Sequence, residues 1–338
     1  MFDAVATDVA LDVGTSYTRL ATLERGLLFS EPTVVAIDTR TGTVVDVGHA
    51  ALGAVVKSPK HVVAFRPLAK GATVDFDVAA RLFKSFFDRA GFSRVTRVRV
   101  IMSVPALATS IERRALRQAA LQAGAVEASL IETPIAAAIG LGMPVDDPVA
   151  SAVVSLGAGS SEAAVISLGG IVTGRSLRVG GYDVDNAIAA MLRHRYGVVA
   201  SPPVVESLKK DLASAMQRTN GATRIIPART VDHGRPVSVE TTAVEINSAI
   251  KEIVNSTIRM VQETLGEAPP DLAQDVLTQG LTLVGGHAQL GDLAELVALE
   301  TGVNVHAAEE PELIVIRGLE RCLRNMSSLH SLFRNADR

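Results

Sequence analysis

The chain has 338 residues, of which 48% are hydrophobic and 20% are charged, and its formal net charge is −3. This length can support two core-forming domains, and this composition is typical of a globular protein and excludes a wholly disordered one. The small net charge gives no reason to expect a nucleic acid partner, the single cysteine excludes an internal disulfide, and the scattered histidines show no metal-ligand spacing.

Neither secretion nor membrane insertion is expected from the sequence. The N-terminal stretch "MFDAVATDVALDVG" carries acidic residues where a signal peptide needs basic ones. No uninterrupted apolar run reaches the ~20 residues that a bilayer-spanning helix requires. We therefore expect a soluble, cytoplasmic protein whose contact with the inner face of the cell membrane would be peripheral.

The first part of the chain predicts a series of strands followed by alternating helices and strands. "VALDV" leads to the turn Gly14-Thr15-Ser16, then to "YTRLATLE", a turn at Gly26 and the strand "PTVVAID". Helical spacing in "DVAARLFKSFFDRAG" precedes the buried strand "VRVIMSVP", and "TSIERRALRQAALQAG" predicts a helix capped by Thr109 or Ser110. "ASLIETPIAAAIGLG" predicts a short strand, a break at Pro134 and an alanine-rich helix.

The opening plan of strands and turns recurs in the second half. "AVVSL" leads to the turn Gly157-Ala158-Gly159-Ser160-Ser161, then to "EAAVISL", the turn Gly169-Gly170 and "IVTGRSLRV". Such a duplication predicts two related domains that face each other. We place domain I at residues 1–142, domain II at residues 143–330 and a tail at residues 331–338.

Helices and one small sheet are predicted in the rest of domain II. The helices are "DVDNAIAAMLRHRYG", "VESLKKDLASAM" and "VEINSAIKEIVNSTIRMVQETLG", the last with apolar residues at every third or fourth position. The polar residues from about 218 to 239 predict a small β-insertion before the longest helix. "LTLVGGHAQL" then predicts a strand, the pair Gly285-Gly286 and a helix that runs through Leu293 to Leu299.

The two glycine turns predict phosphate binding but not a dinucleotide fold. Rossmann glycines open a helix, whereas both turns here continue into alternating strands. The backbone N–H groups of such hairpin turns can form a nest for phosphate oxygens, and nearby hydroxyls add donors: Thr15, Thr18, Ser160 and Ser161. One such turn alone would be an ordinary hairpin, but two matched turns and a third glycine pair after a strand favour a shared phosphate site.

A series of segments, in chain order, carries a resemblance to one known family. They are "ALDVGTSYT", "EPTVVAID", "VVAFRPLAKGATVDFDVAARLFKSFF", "SVPALATSIERRALRQAALQAGA", "LIETPIAAAIGLGMPVDDP", "VVSLGAGSSEAAVISLGGIVTGRSLRVGGYDVDNAI" and "LTLVGGHAQLGDLAELVALETGVNVHAAEEPELIVIRGL". Over nearly its whole length the chain thus resembles the actin-like ATPases, and within them the bacterial MreB family. The resemblance implies an α/β protein of the actin-like ATPase fold, with duplicated ribonuclease H-like domains around a cleft that holds ATP or ADP and Mg²⁺. The segment from 281 to 318 is similar to the family's adenosine motif.

The resemblance also implies which residues contact the nucleotide. The first phosphate clamp would be Asp12, Gly14, Thr15, Ser16 and Thr18, the second Gly157, Gly159, Ser160 and Ser161, and the adenosine contacts Glu206, Lys209, Gly285, Gly286 and His287. Asp12 would hold Mg²⁺ through water. Glu206 and Lys209 lie three apart on a predicted helix, so a surface ion pair is the alternative interpretation of these two residues.

Two positions depart from the family pattern in a way that bears on hydrolysis. The family's water-positioning acid directly precedes the proline of its "E-P" segment, and here that position is Thr133, with Glu132 one residue away. The acid that opens the family's second phosphate motif is Ser155 here. Because losing a general base typically lowers a rate by ~10²–10⁴, we expect very slow or absent ATP hydrolysis. The alternative is that Glu132 and a shifted water restore the chemistry.

Two further departures bear on binding. Ala158 replaces the middle glycine of the second motif, and Pro202 falls at the position of a ribose-contacting glutamate of the family. Both are expected to weaken nucleotide binding without abolishing it, because the backbone nests and Asp12 remain. The implied function is that of a nucleotide-binding filament protein of bacterial cell shape or wall synthesis with impaired ATP hydrolysis. The alternatives are a fully active ATP-hydrolysing filament and a nucleotide-free scaffold that modulates another MreB-type protein.

Assembly and membrane contact are also implied by the resemblance. MreB-like proteins form head-to-tail protofilaments on the inner membrane, so the partners would be further copies of the chain, a paralogous MreB-type protein and membrane-bound wall-synthesis proteins. Phe92 stands in a short loop at the place where MreB carries a membrane-inserting loop, and the basic residues around it are Arg89, Arg94, Arg97 and Arg99. An exposed aromatic beside basic residues suits an anionic membrane surface. The alternative is that Phe92 packs into its own domain.

Overall fold

The computed structural model describes residues 6–58, 60–92, 96–216 and 221–324. In the first half these residues form β1 (Thr7–Val13), β2 (Tyr17–Thr22), β3 (Gly26–Pro32), β4 (Val35–Asp38), β5 (Val44–Val47), α1 (Gly48–Lys57), β6 (Val62–Phe65), β7 (Leu68–Ala69), β8 (Ala72–Thr73), α2 (Phe76–Arg89), β9 (Val98–Val104), α3 (Ser110–Gln122), β10 (Ala125–Glu132) and α4 (Thr133–Leu141). The second half forms β11 (Ser151–Leu156), β12 (Ser161–Ser167), β13 (Gly170–Leu177), α5 (Gly181–Tyr196), β14 (Val198–Val199), α6 (Pro202–Leu212), β15 (Thr223–Thr230), β16 (Pro236–Thr242), α7 (Ala243–Gly266), α8 (Pro270–Gln279), β17 (Leu281–Val284), α9 (Leu293–Thr301), β18 (Val305–Ala307) and α10 (Ile314–Arg324).

Two five-stranded sheets have the same strand order and the same strand directions. The order is β3-β2-β1-β9-β10 in the first sheet and β13-β12-β11-β17-β18 in the second. In each sheet the three strands that come first along the chain form an antiparallel meander, and the other two add in parallel. The duplication seen in the sequence is therefore a duplication of topology. We call the part of the chain up to residue 142 lobe I and the part from residue 143 onward lobe II.

The third strand of the first meander differs from the prediction. The sequence predicts "PTVVAID" as the strand after Gly26, but the observed strand is β3, which begins at Gly26 itself. Gly26 has a φ of +63°, and this tight turn brings the residues directly after it back against β2. Pro32 lacks an N–H donor and ends β3, and β4 then pairs with β5 and β6 in a separate sheet.

Local signals account for the ends of the clearest helices. Thr109 caps α3, because its side chain accepts from the Glu112 N–H while the Glu112 carboxylate accepts from the Thr109 N–H. Thr242 and Glu245 form the same capping box at the start of α7. In the segment for which a β-insertion is predicted, β15 and β16 form a hairpin that pairs with β14; residues 218–220 of that segment lie outside the described residues. Helices α1, α8 and α10 were not among the predicted elements.

Lobe I and lobe II exchange their last helices. Helix α4 packs mainly against β11 and β12 of the second sheet, with smaller contacts to β9 and β10, whereas α10 packs against β1, β2 and β9 of the first. The two helices also cross each other so closely that a Cβ on Gly318 would lie 1.7 Å from the Ala136 oxygen and one on Gly140 2.1 Å from the Ile314 oxygen. Their buried side chains form one core with the inner faces of both sheets. The predicted boundary at residue 142 lies between the two sheets, and both helices make contacts across it.

The outer face of each sheet is covered by helices of its own lobe. Helices α2 and α3 pack on the first sheet, and α5 and α7 pack on the second. Apolar residues at helical spacing on α7 enter this second core, as the sequence predicts. None of the helices in the described part of the chain combines the length and the apolar character needed to cross a bilayer.

Candidate functional site

The two predicted phosphate-binding turns face each other between the lobes. A Cβ on Gly159 in the second turn would stand 2.6 Å from Thr15 Oγ1 in the first and 2.9 Å from the Lys70 nitrogen. No real Cβ comes so close, so only glycine fits at this position. Lys70 and Gly71 form the turn between β7 and β8, both with positive φ, and the Gly71 N–H donates to Thr15 Oγ1 across 3.4 Å. Three turns therefore converge at one place in the cleft.

Asp12 is held by two side chains of its own lobe. Its Oδ1 accepts a hydrogen bond of 2.8 Å from Ser103 Oγ at the end of β9. Its Oδ2 lies 3.3 Å from Nη1 of Arg19, the residue opposite Asp12 in the β1–β2 register. The sequence prediction included Asp12 but missed Arg19. The signal that was available is the tight hairpin, because residues directly opposite each other in a hairpin share a face of the sheet.

Two of the four hydroxyls predicted as phosphate donors are used inside their own lobes. Thr18 is fully buried and shares a hydrogen bond of 2.9 Å with the Thr33 hydroxyl, which in turn donates to the Gly14 oxygen. Ser161 is also fully buried and donates to the Val179 oxygen at 2.8 Å. These two side chains hold the turns in shape. Thr15 lies at the meeting point of the turns described above.

Tyr182, at the start of α5, spans the cleft between the lobes. Its hydroxyl donates to Ser16 Oγ across 3.0 Å, so Ser16, a residue of the predicted first phosphate clamp, is engaged by the opposite lobe. The guanidinium carbon of Arg66 lies 5.0 Å from the centroid of the Tyr182 ring. Burial raises the pKa of Tyr182 and opposes the effect of its hydrogen bond to Ser16. Tyr182 was not singled out from the sequence, because only its contact with lobe I gives it a role.

The second turn packs against the start of α5. The N–H groups of Gly181 and Tyr182 donate to the oxygens of Gly157 and Ala158, at 3.1 and 2.8 Å. A Cβ on Gly180 would lie 2.6 Å from the Gly157 oxygen, so glycine is required for this close approach. The predicted backbone nest at Gly157 therefore lies next to the start of α5. The N–H groups of Gly181 and Tyr182 there already donate to this turn.

Glu132 and Thr133 lie at the junction of β10 and α4, and both side chains already have partners in lobe I. Glu132 Oε1 lies 2.8 Å from Nη2 of Arg113, and its side chain is 18% exposed. The Thr133 hydroxyl donates to the Val104 oxygen at 3.1 Å. For Glu132 to act as a base in place of the missing acid, its carboxylate would have to act while it is paired with the Arg113 guanidinium.

Glu162, on β12 of the second sheet, is a buried carboxyl group that the sequence prediction passed over. It lies opposite Ser155 in the β11–β12 register, and its Oε1 accepts a hydrogen bond of 2.8 Å from the Ala106 N–H of lobe I. Burial, together with the nearby charge of Glu132, raises the pKa of Glu162 to about 7, against the lowering effect of the hydrogen bond from the Ala106 N–H. A glutamate inside an otherwise apolar and hydroxyl-bearing strand was the available signal.

Two of the predicted adenosine contacts, Lys209 and His287, lie together on lobe II. His287 is buried, and its burial together with the charge of Lys209 lowers its pKa to about 4, so the ring is neutral at pH 7. A Cβ on Gly181 would lie 3.6 Å from Lys209 Nζ and 3.8 Å from His287 Nδ1, so the two side chains converge on the start of α5. Gly285 has a φ of +88°, and a Cβ there would lie 2.3 Å from the Leu156 oxygen. Gly286 follows it and begins a short 3-10 helix.

Glu206 and Lys209 do not pair with each other. Lys209 Nζ lies 2.8 Å from Asp185 Oδ1, and it also donates to the Gly181 oxygen at 3.3 Å. Glu206 pairs instead with Lys210 one turn further along α6, at 2.8 Å. The alternative of a surface ion pair between Glu206 and Lys209 is therefore wrong, because Lys209 contacts the first turn of α5 instead. Pro202 is the first residue of α6.

Metal binding by protein groups alone is not supported around these turns. Within the part of the chain that the structure describes, no three His, Cys, Asp or Glu side chains are grouped so that they could hold a metal ion. Ser155 brings no charge, and the charge of Asp12 is already matched by Arg19. The donor set therefore does not fit an Mg²⁺ ion organised by two acids.

Phe92 is half-buried in lobe I. Its ring lies 6.4 Å from the ring of Phe87, and the side chain packs against the core of that lobe. Arg89 pairs with Glu31, and Arg99 pairs with Asp8 at 2.7 Å. Arg97 is exposed, and Arg94 lies outside the described residues. This arrangement favours the alternative in which Phe92 packs into its own domain, and the basic charge around it is partly neutralised.

Comparisons with known proteins agree with this geometry. A family model described as MreB/Mbl protein matches residues 6–331. The cell shape-determining protein MreB of Escherichia coli strain K12 is 36% identical over 331 residues, which cover 96% of this chain and 95% of the relative. The crystal structure of MreB5 of Spiroplasma citri bound to ADP superposes with a TM-score of 0.88 at 26% identity, covering 96% of this chain and 98% of the other. A MamK double helical filament shares the fold, with a TM-score of 0.80 at 19% identity over 95% of this chain and 99% of the other.

Proposed function

The chain belongs to the MreB/Mbl family and has the actin-like ATPase fold, and on that premise we propose that it is a nucleotide-binding filament protein of bacterial cell shape or cell wall morphogenesis. The observation that carries the proposal is the meeting of the two turns, where Gly159 leaves no room for a side chain next to Thr15. A ligand with several phosphate groups suits such a place, because backbone N–H groups and hydroxyls come from both lobes.

ATP or ADP is the proposed ligand. The related MreB5 of Spiroplasma citri has been solved with ADP and with AMPPNP. In this chain the neutral His287, Lys209 and the glycine pair after β17 would contact the nucleoside, next to the turns that would contact the phosphates. The proposal includes the predicted phosphate contacts at Thr15 and Ser160. The N–H groups of Gly14 and Gly157 donate to the oxygens of Tyr17 and Ser160, so these two glycines shape the turns.

Impaired hydrolysis is part of the proposal. Thr133 binds a backbone oxygen, Glu132 binds Arg113, and Ser155 brings no charge to the cleft. A reaction that needs an oriented and deprotonated water lacks its two usual acids here, which corresponds to a loss of ~10²–10⁴ in rate. A fully active ATPase and a nucleotide-free scaffold remain the two competing functions.

Self-association and location follow the family. We propose head-to-tail assembly of copies of this chain, alone or with a paralogous MreB-type protein, in the cytoplasm or against the inner face of the membrane. MamK, which shares the fold, has been solved as a double helical filament, and this supports assembly of the present chain. Insertion of Phe92 into an anionic membrane would require its ring to leave the contact with Phe87, so its effect is expected only where many copies bind together.

Electron microscopy of the purified chain tests assembly and its dependence on nucleotide together. We expect filaments in the presence of ATP, ADP or AMPPNP, and a higher melting temperature when nucleotide is added, because a ligand that binds only the folded state stabilises it. Particles without filaments in every condition would count against assembly by this chain alone. Filaments without any thermal response to nucleotide would favour the scaffold function.

A further inference from the structure

Arg19 is a buried cation at the first phosphate turn. It lies directly opposite Asp12 in the β1–β2 hairpin, and only 11% of its side chain and 12% of that of Asp12 are exposed. Side chains alternate along a strand, so Asp12 shares its face with Ala10, and Arg19 shares its face with Ala21. Those two alanines belong to the core between the sheets. The pair therefore lies on the side of the first sheet that looks toward lobe II.

The guanidinium of Arg19 has hydrogen-bond donors to spare. Its contact with Asp12 uses one N–H group of five, at 3.3 Å, and its Nε is buried with no hydrogen-bond partner among the described residues. The other neighbour of the guanidinium is the ring of Tyr17, whose centroid lies 5.7 Å from the Arg19 carbon Cζ. A buried polar group without a partner is costly, and the guanidinium N–H groups that Asp12 does not use can donate to an acceptor that comes with a ligand.

The charge balance of this place favours an anion over a metal cation. A second acid at position 155 would add negative charge and attract Mg²⁺, but this residue is Ser155, which lies opposite Glu162. The only acid left at this place is Asp12, and the charge of Arg19 balances it. Arginine presents a planar fork of N–H donors that matches the oxygens of a phosphate group. Buried ion pairs often add little net stability, so stabilising the fold is a weak explanation for this pair. That explanation also leaves the unpaired Nε of Arg19 unexplained.

We propose that Arg19 is a phosphate-binding residue of the cleft and that it supplies, beside Asp12, the positive charge that a divalent cation supplies in a site with two acids. The ligand class is a nucleoside di- or triphosphate, so this inference rests on the proposed nucleotide-binding function. Its consequence is that nucleotide binding by this chain does not depend on Mg²⁺.

Isothermal titration of the full chain with ADP and with ATP, in Mg²⁺ or in excess EDTA, tests this directly. The dissociation constants in the two buffers should agree within about 3-fold for the unmodified protein. In EDTA, Arg19→Leu should weaken binding by about 10-fold or more, since it removes hydrogen bonds to a charged group. Arg25→Leu is the matched control, because Arg25 lies after the same strand and donates to the Ala90 oxygen away from the turns.

A second variant keeps the inference open to failure if Arg19→Leu does not fold. Asp12→Asn retains the acceptor for Ser103, removes a negative charge and releases Arg19, so binding in EDTA should be unchanged or tighter. Loss of binding by the unmodified protein in EDTA, or a loss of affinity in Asp12→Asn, would overturn the role of Arg19. Affinity of Arg19→Leu equal to that of the control would overturn it as well. Absence of binding in both buffers would instead remove the nucleotide-binding proposal itself.

Discussion

The two turns that are predicted to bind phosphate have the same topology but differ in the charged residues beside them. In lobe I the acid is kept, and Asp12 is neutralised by Arg19 on the neighbouring strand. In lobe II the corresponding position is Ser155, and the carboxyl group nearby, Glu162, lies on the neighbouring strand without an ion-pair partner in the described residues. The duplicated sheets therefore fix where the turns lie, while the residues one strand away decide the charge in the cleft.

The largest effect is expected from placing an acid at position 133, where β10 meets α4. Thr133→Glu places a carboxylate directly before Pro134, where it can orient and deprotonate a water. We expect phosphate release in the presence of ATP to rise by about 10²-fold. The measurement is steady-state phosphate release, and Thr133→Gln is the control that orients water without accepting a proton. Equal rates in the two variants would mean that the missing acid does not limit hydrolysis.

The burial of Glu162, which raises its pKa, predicts a dependence of stability on pH. The pKa of Glu162 is about 7 in the folded state and 4.5 in the unfolded state, so its contribution is fully present below pH 4.5 and is lost as the pH rises through 7. Each unit corresponds to about 1.4 kcal/mol, so the loss amounts to roughly 3 kcal/mol.

Glu162→Gln isolates this contribution, because glutamine still accepts a hydrogen bond from the Ala106 N–H but does not titrate. Urea unfolding at a series of pH values measures the free energy of unfolding of both proteins. Relative to the unmodified protein, that of the variant should rise between pH 5 and pH 8. The lowered pKa of His287 acts in the opposite direction and is common to both proteins, so it cancels in the difference. Parallel pH profiles would show that Glu162 does not titrate in this range.

The contact between the two turns is broken by adding one methyl group. Gly159→Ala would push a Cβ against Thr15 Oγ1 and the Lys70 backbone, and we expect a loss of about 1–3 kcal/mol in the free energy of unfolding. Gly170→Ala is the matched control, because a Cβ there meets nothing within 4 Å. Chemical denaturation measures both variants. If Gly159→Ala left the free energy of unfolding unchanged, the lobes would have to be further apart in solution.

The smallest effect is expected at the hydrogen bond that joins the lobes directly. Tyr182→Phe removes the bond to Ser16 and should cost about 1 kcal/mol. Tyr196→Phe removes a bond of similar kind to Glu245 inside lobe II and serves as the control. Amide hydrogen exchange in the turn from Gly14 to Ser16 should increase in the first variant only. An equal response in both would show that Tyr182 does not hold the first turn.

The elements that follow from local pattern were predictable, and the contacts between them were not. Hairpin turns, the capping box at Thr109 and the amphipathic α7 are encoded by neighbouring residues, so sequence reasoning found them. The roles of Arg19, Tyr182 and Glu162 depend on which strand or lobe lies opposite, which needs the three-dimensional arrangement. Helix α10 was missed because it follows a short 3-10 helix at Pro311–Leu313 with no separating turn signal.

The residues of the predicted site divide in the same way, into those that the local pattern identifies and those whose contacts depend on the three-dimensional arrangement. Gly159 and Gly285 were expected from the glycine pattern, and the close approaches at both positions give the physical reason for them. Thr18 and Ser161 have the residue type of phosphate donors, but Thr18 is bonded to the Thr33 hydroxyl and Ser161 to a backbone oxygen, each within its own lobe. A hydroxyl next to a turn has both options, and only burial and the available acceptors decide between them.

The exchange of helices α4 and α10 has a consequence for how the chain is made. The inner face of the first sheet is covered by residues that lie more than half the chain later, so a nascent lobe I leaves the ribosome with that apolar face open. The sheet can acquire its missing cover only when residues 314–324 have been synthesised. We therefore expect biogenesis of the two lobes to be completed in one late step, and neither half produced alone should be a stable protein.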